Sequence, residues 1–255
     1  MTLGSRIGII YRSKYYLCPQ KKYKMKKTHI FFVTILLLIL SYNSFSQVIS
    51  ESAKRKFTVG ADVFTDIWLF SIDPLYMDPD FELRTIQQGA TAFMQYNMQM
   101  GDKELVSFSV GLGIRNHNMY SNSVIENIKA DTINFTGIPS SVEYRKSKVN
   151  LVYLDLPIEL KLRWKNGFKL VPGFKVGYLI DSKQKYKGDR FDEAVMVKEK
   201  TKTIRQLEDW SYGFTFRIGY KFVSLYGYYQ ISNIFKRGKG PEMNPISVGI
   251  TITPF

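Results

Sequence analysis

The chain has 255 residues, a formal net charge of +14 and a single cysteine. Residues 1–46 hold eight Lys or Arg and no acid, so residues 47–255 carry 28 basic and 22 acidic side chains, net +6. An excess of that size is a surface-potential matter, not a nucleic-acid footprint. Cys18 and His29 precede residue 47, leaving His117 as the one histidine beyond it, so disulfides, cysteine nucleophiles and metal clusters of several thiolates or imidazoles are excluded there. No cofactor and no nucleic-acid partner is expected.

From the N-terminus, Met25-Lys26-Lys27 precedes the apolar run 30–40 and then Ser44-Phe45-Ser46-Gln47. A basic start, a short apolar core and small residues before a cleavage point read as a secretory signal peptide over 25–46, cut before Gln47. The core is too short for a membrane-spanning helix, which needs about 20 apolar residues. Residues 1–24 have no patterning of their own and read as an upstream extension before the true start at Met25, and 47–255 as one domain.

From Phe57 onward eight segments alternate apolar and polar: 57–67, 86–97, 106–115, 152–164, 168–180, 210–220, 223–231 and 246–253. The fourth is the most regular, with Val152, Leu154, Leu156, Ile158, Leu160, Leu162 and Trp164 against Tyr153, Asp155, Pro157, Glu159, Lys161 and Arg163. Phe64 and Trp68 break the parity of the first, which predicts a bulge or inward packing. Period 2 over about ten residues is what tilted membrane strands require. The connections alternate in length. Those at 100–103, 165–167 and 221–222 are tight, whereas 71–82, 116–149, 181–209 and 235–244 are long and polar. The expectation is an all-β, eight-stranded antiparallel up-and-down transmembrane β-barrel, with short periplasmic turns, long extracellular loops and both mature termini periplasmic.

Volume assigns the faces. Eight strands enclose a space that side chains just fill, too narrow for five to seven large apolar residues per strand. The opposite face carries Gly111, Gly113, Gly173, Gly177, Gly213 and Gly219. The large residues therefore point out, toward lipid. Trp164, Phe168 and Tyr220 fall at the short-turn end of that face, and Tyr178, Trp210 and Tyr212 at the other, as two interfacial aromatic girdles. In the turn 165–167 a three-residue hairpin with Gly167 left-handed pairs Trp164 with Phe168; a two-residue loop would bring opposite faces together.

Tyr153-Leu154-Asp155-Leu156-Pro157 with Lys161, then the stretch 173–179, resemble the central hairpin of the PorT-like outer-membrane barrels of Bacteroidota. Ser232-Asn233-Ile234 is similar to that family's closing hairpin, and the Ser-Phe-Ser-Gln junction to signal peptides of that phylum. Phe255 resembles the terminal signal such barrels present to the barrel-assembly machinery, although Pro254 puts it out of step with the last strand. The resemblance implies an integral outer-membrane protein surrounded by outer-membrane lipid and handled during biogenesis by periplasmic chaperones and that machinery. Its long loops would serve an envelope protein partner or structural duty, with type IX secretion the role of the family's namesake. It carries no catalytic residues.

Three groups of residues remain. His117 with Ser121, Ser123 and Glu126, read as lying where the third strand gives way to a loop, is the set a lipid A or phospholipid enzyme would have to use. This is the alternative to a non-enzymatic barrel. Asp131-Thr132-Ile133 looks like the O-glycosylation acceptor pattern of Bacteroidota. Finally Asp155, Glu159, Lys161, Arg163, Lys175 and Arg217, with Arg115 and Lys169, share the inward face and read as a structural ion network, since buried charges must be paired. Lys175, opposite Pro157 and diagonal to Asp155 and Glu159, is the expected hub.

Overall fold

Strands with one apolar and one polar face leave unpaired backbone groups along both edges, and here the chain meets that requirement by closing on itself. The computed structural model describes residues 56–101, 105–190 and 193–254. The leader at 25–46, the stretch 1–24, Asp102 and Lys103 of the first tight turn, and Phe255 lie outside the described residues.

The strands are β1 (Phe57–Phe70), β2 (Gln88–Met100), β3 (Val106–Tyr120), β4 (Ser123–Ile125), β5 (Phe135–Gly137) and β6 (Tyr144–Arg163). They continue with β7 (Phe168–Arg190), β8 (Glu193–Lys202), β9 (Trp210–Tyr220), β10 (Val223–Gln230) and β11 (Met243–Ile252). The hydrogen-bonded order is β6-β3-β2-β1-β11-β10-β9-β7, and β6 also pairs with β7, so eight antiparallel strands form a closed ring. These eight are the segments the alternation singles out.

Two expected loops are corrected. Within 116–149, β3 continues to Tyr120, β6 has begun at Tyr144, and β4 and β5 pair as a separate ribbon. Within 181–209, β7 runs on to Arg190 and β8 returns along it as a hairpin standing beyond the ring. Both extensions escape hydropathy because their outward positions, such as Asn116, Asn118, Lys183 and Lys185, are polar. Strand geometry persists there after the apolar alternation has ended.

The faces follow the pleat. Val63, Ile114, Leu156 and Phe214 stand exposed on the outside, while Asp62, Arg115, Asp155 and Thr215 are buried within. Phe64 and Trp68 pack inward, and the β1–β11 register passes through both without a shift. The parity break is therefore a local exchange of aromatic for polar, not a bulge. The β6–β7 ladder does carry an irregularity between Val152 and Tyr153, which makes Ile180 an extra residue on β7. The turn into β7 is the three-residue hairpin: Gly167 has φ +91°, and the Trp164 N–H donates to the Phe168 carbonyl at 2.9 Å.

At the long-connection end the interior changes character. Trp68, Met119, Leu151 and Tyr153 at the rim meet Met77 and Phe81, Ile133 and Phe135, Ile204 and Leu207, and Ile234 and Phe235 in one buried apolar cluster. All four long connections contribute to it. They form a folded cap with its own core, a consequence of apolar residues spaced too irregularly to show a period.

Candidate functional site: the ion-paired interior and its cap

Inward positions on neighbouring strands stack into layers, so residues far apart in sequence meet across the ring. At mid-height Arg115 of β3 donates from Nη2 to Asp155 of β6 at 3.0 Å, and its Nε lies 2.9 Å from the other carboxylate oxygen, an ion-pair contact outside hydrogen-bond geometry. Its guanidinium also donates to the Ser211 hydroxyl at 2.6 Å and lies 4.7 Å from the ring centroids of both Tyr153 and Tyr228. A planar cation bonded at its edge and covered on its faces is the arrangement in which arginine is best held. Gly177 faces this pair, and a Cβ there would come within 2.6 Å of the Ser211 hydroxyl and 2.9 Å of the guanidinium. The glycine is space for the ion pair.

His117 continues the chain. Its Nε2 lies 3.0 Å from Nη1 of Arg115, and its Nδ1 lies 2.7 Å from Asp66, which accepts the Ser247 hydroxyl at 2.6 Å. This histidine is fully buried inside β3, correcting its expected place at a loop junction. The would-be catalytic set does not assemble around it. Ser121 donates to the Ser123 carbonyl, Ser123 to Asn122, and Glu126 is exposed. Neither ring nitrogen of His117 has a hydroxyl partner among the described residues.

One layer toward the short turns, Arg217 of β9 bridges Asp62 of β1 at 3.1 Å and Glu159 of β6. Its Nε donates to the Thr251 hydroxyl at 2.9 Å, and that hydroxyl donates to Asp62 at 2.6 Å. Phe93 covers the guanidinium at 4.7 Å. Lys175 stands opposite Pro157 as the register requires, 3.4 Å from Asp155, and donates to the Tyr226 hydroxyl at 3.0 Å. The expected hub is corrected: Glu159 is held by Arg217 and not by Lys175. Diagonal reach along one hairpin loses to a cross-lumen guanidinium that engages two carboxylates. Asp62 and Asp66, which the sequence reading left out of the network, anchor it on β1; their signal was their place on the polar face of the first segment.

At the short-turn mouth the cations have neutral partners. Lys161 donates to Asn97 at 2.8 Å, Lys169 to Thr253 at 2.7 Å and Arg163 to Thr58 at 3.5 Å. The space among Gln95, Lys161, Arg217 and Ser224 is about 30 Å³, and that among Asp62, Asp155, Lys175 and Thr215 about 10 Å³. Gaps of this size hold about one water each. Among the described residues no three His, Cys, Asp or Glu side chains gather at metal-ligand spacing.

The aromatic residues sort as the register dictates. Phe168 pairs with Tyr220 at the short-turn end, with Trp164 and Phe168 ring centroids 5.2 Å apart. Tyr178 pairs with Trp210 at the other end, centroids 5.1 Å apart, with Tyr212 exposed next to them on the same face. Thr132 is exposed on the cap, while Ile133 beside it is fully buried.

Comparison with known proteins adds a family. No curated protein matches the chain. A family model described as the outer membrane protein beta-barrel domain matches residues 85–236, more than half of the chain, from just before β2 to just beyond β10. With its closed antiparallel ring, apolar exterior and ion-paired interior, the chain belongs to the outer membrane protein beta-barrel domain family.

Proposed function

We propose that the protein is a non-enzymatic, integral outer-membrane barrel of PorT-like type. Its ring crosses the bilayer with both mature termini in the periplasm, and its cap is presented outside to an envelope protein partner. A role as a secretion-system accessory is the narrower form of this reading.

The observation that carries it is the combination of a filled interior with a folded cap. Two interior gaps that hold about one water each favour a filled ring over a solute channel, and a cap folded around its own apolar core presents a defined surface to a partner. Arg115, Lys175 and Arg217 are ion-paired to Asp155, Asp62 and Glu159 inside the ring, as expected of a network that holds the strands together. The exposed apolar face, bounded at both ends by aromatic rows, is what lipid would cover.

The test is affinity capture in mild detergent, comparing the full chain with a variant in which 122–142 is replaced by a short Gly-Ser linker. The reading expects an envelope protein retained by the first and lost from the second, with the ring folded in both. An activity on lipid A or phospholipid that His117→Ala abolishes while the ring stays folded would contradict it in favour of an envelope enzyme.

A further inference from the structure

Beyond the ring, β6, β7 and β8 continue as a three-stranded sheet, and its outward face is built of lysine. Lys146, Lys187 and Lys198 lie directly opposite one another in one row, and Lys148, Lys185 and Lys200 in the next. A third row sets Lys183 against Lys202. Like charges placed directly opposite destabilise a sheet. Burial together with the neighbouring ammonium groups lowers Lys148 to about 8, and Lys183 and Lys185 are shifted down as well, in part by the lysines facing them.

Only part of this has a structural explanation. Lysines along β8 guard an open sheet edge against wrong pairing, but β7 is paired on both sides here, as is β6 up to Lys148, and those stretches need no guard. Among the described residues Asp181 ion-pairs with Lys183 on this face, and Asp189, opposite Met196, lies on it beyond Lys187. Tyr120, whose ring lies 5.3 Å from Arg84, 5.6 Å from Lys146 and 5.0 Å from Lys148, adds a further guanidinium to the cluster. The opposite face of the same hairpin is occupied: Gln184 hydrogen-bonds the backbone of Ile125 in the cap.

Position supplies the partner. The lysine face is the same face of β6 and β7 that carries Leu154, Leu156 and Tyr178 lower down. The row of Asn150 and Lys183 begins about 7 Å along the strand beyond Val152, the last outward apolar residue of β6. Lipid headgroups occupy roughly the 5–8 Å outside each edge of the hydrocarbon, so the row of Lys183 and Lys202 lies among them. The row of Lys148, Lys185 and Lys200 reaches back to them with its long side chains, and the row of Lys146, Lys187 and Lys198 stands beyond. We propose that the two rows of this lysine sheet nearest the ring, those of Lys183 and Lys185, bind the phosphate groups of anionic lipid in the leaflet on the long-connection side. The proposal rests on the barrel spanning the membrane as inferred above. Lysines about 5 Å apart within a row, in rows about 7 Å apart along the strands, suit several phosphates spread over a lipid surface, whereas a single small anion would use only two or three of them.

The experiment reconstitutes the full chain in phosphatidylcholine nanodiscs with and without monophosphoryl lipid A, then measures by native mass spectrometry which lipid stays on the protein after detergent release. Two variants are compared, K183Q/K185Q/K200Q and the edge-only K198Q/K200Q/K202Q. The wild type should retain monophosphoryl lipid A in preference to phosphatidylcholine. Both variants should lose about tenfold or more of that preference while unfolding no earlier than the wild type in lipid-free zwitterionic detergent. If the triple variant on β7 and β8 misfolds, the edge-only variant carries the comparison. Equal retention of the two lipids, variants that retain lipid A like the wild type, or full displacement by soluble polyglutamate would each overturn the proposal. A chain that inserts but shows no preference refutes this proposal alone; a chain that does not enter the bilayer refutes the barrel reading beneath it.

Discussion

His117 accepts a hydrogen bond at Nε2 from the Arg115 guanidinium, 3.0 Å away. Arginine has donors only and keeps its charge, so Nε2 carries no proton. The proton must then sit on Nδ1 and point at Asp66, 2.7 Å away, which makes this a neutral imidazole of one defined tautomer. Nitrogen NMR of residues 47–255, in which His117 is the one histidine, should show a protonated Nδ1 and a bare Nε2 at neutral pH. A signal for protonated Nε2 would contradict the arrangement, as would exchange between tautomers.

Two of the inner cations, Arg217 and Lys175, should differ in what their loss does. Arg217 is the shared partner of Asp62 and Glu159, so Arg217→Met strands two buried carboxylates. Lys175→Met leaves Asp155 still held by Arg115. Breaking a buried pair costs about 3–5 kcal/mol, mostly from the charge left behind. Chemical unfolding in detergent should therefore show a clearly larger loss for Arg217→Met, partly recovered by adding Asp62→Asn. Equal losses, or a larger one for Lys175→Met, would reassign the centre of the network to Lys175.

At the turn between β6 and β7, Gly167→Ala places an L side chain at φ +91°, with its Cβ 3.1 Å from Lys221 and 3.3 Å from Tyr220. The left-handed backbone alone costs about 1–2 kcal/mol. Gly227 is the control: its φ is not in that region, and a Cβ would meet nothing nearer than the Phe216 carbonyl at 3.9 Å. Thermal unfolding should separate the two alanine variants, with Gly227→Ala near the wild type. A Gly167→Ala protein as stable as the wild type would refute the hairpin register.

How much of this could be read beforehand depended on where the periodicity held. Alternation from Val152 to Trp164 and from Phe168 to Ile180 is a property of local sequence, and it determined both the faces and the Trp164–Phe168 pairing. It says nothing about which strands meet across the ring. Arg217 and Asp62 are 155 positions apart, and only the depth of each residue in the closed ring brings them together. His117 was misplaced for a different reason. Its strand neighbours Asn116 and Asn118 are polar, so both faces look alike and the alternation ends before the strand does. The cap was hidden because Met77, Ile133, Leu207 and Phe235 come from four separate connections, each too irregular to show a period of its own.

Processing of the leader is open to direct measurement. Small residues at Ser44 and Ser46 around Phe45 predict cleavage before Gln47. The intact mass of the protein recovered from outer membranes should correspond to 47–255. A product that still carries the apolar run 30–40 would contradict it.

The most direct test of the barrel in its membrane is a nitroxide scan along β6. The one native cysteine, Cys18, precedes residue 47, so in a protein of residues 47–255 single cysteines at Leu154, Leu156, Ile158 and Leu160 can be labelled cleanly. All four are on the outward face. In reconstituted bilayers their accessibility to oxygen should be high and to a water-soluble nickel complex low, with the contrast greatest at Leu156 and Ile158, while a label at the inward Pro157 should be shielded from both. Ready access of the nickel complex to Leu156 and Ile158 would mean that this face meets water, and the account of a lipid-embedded ring would fail.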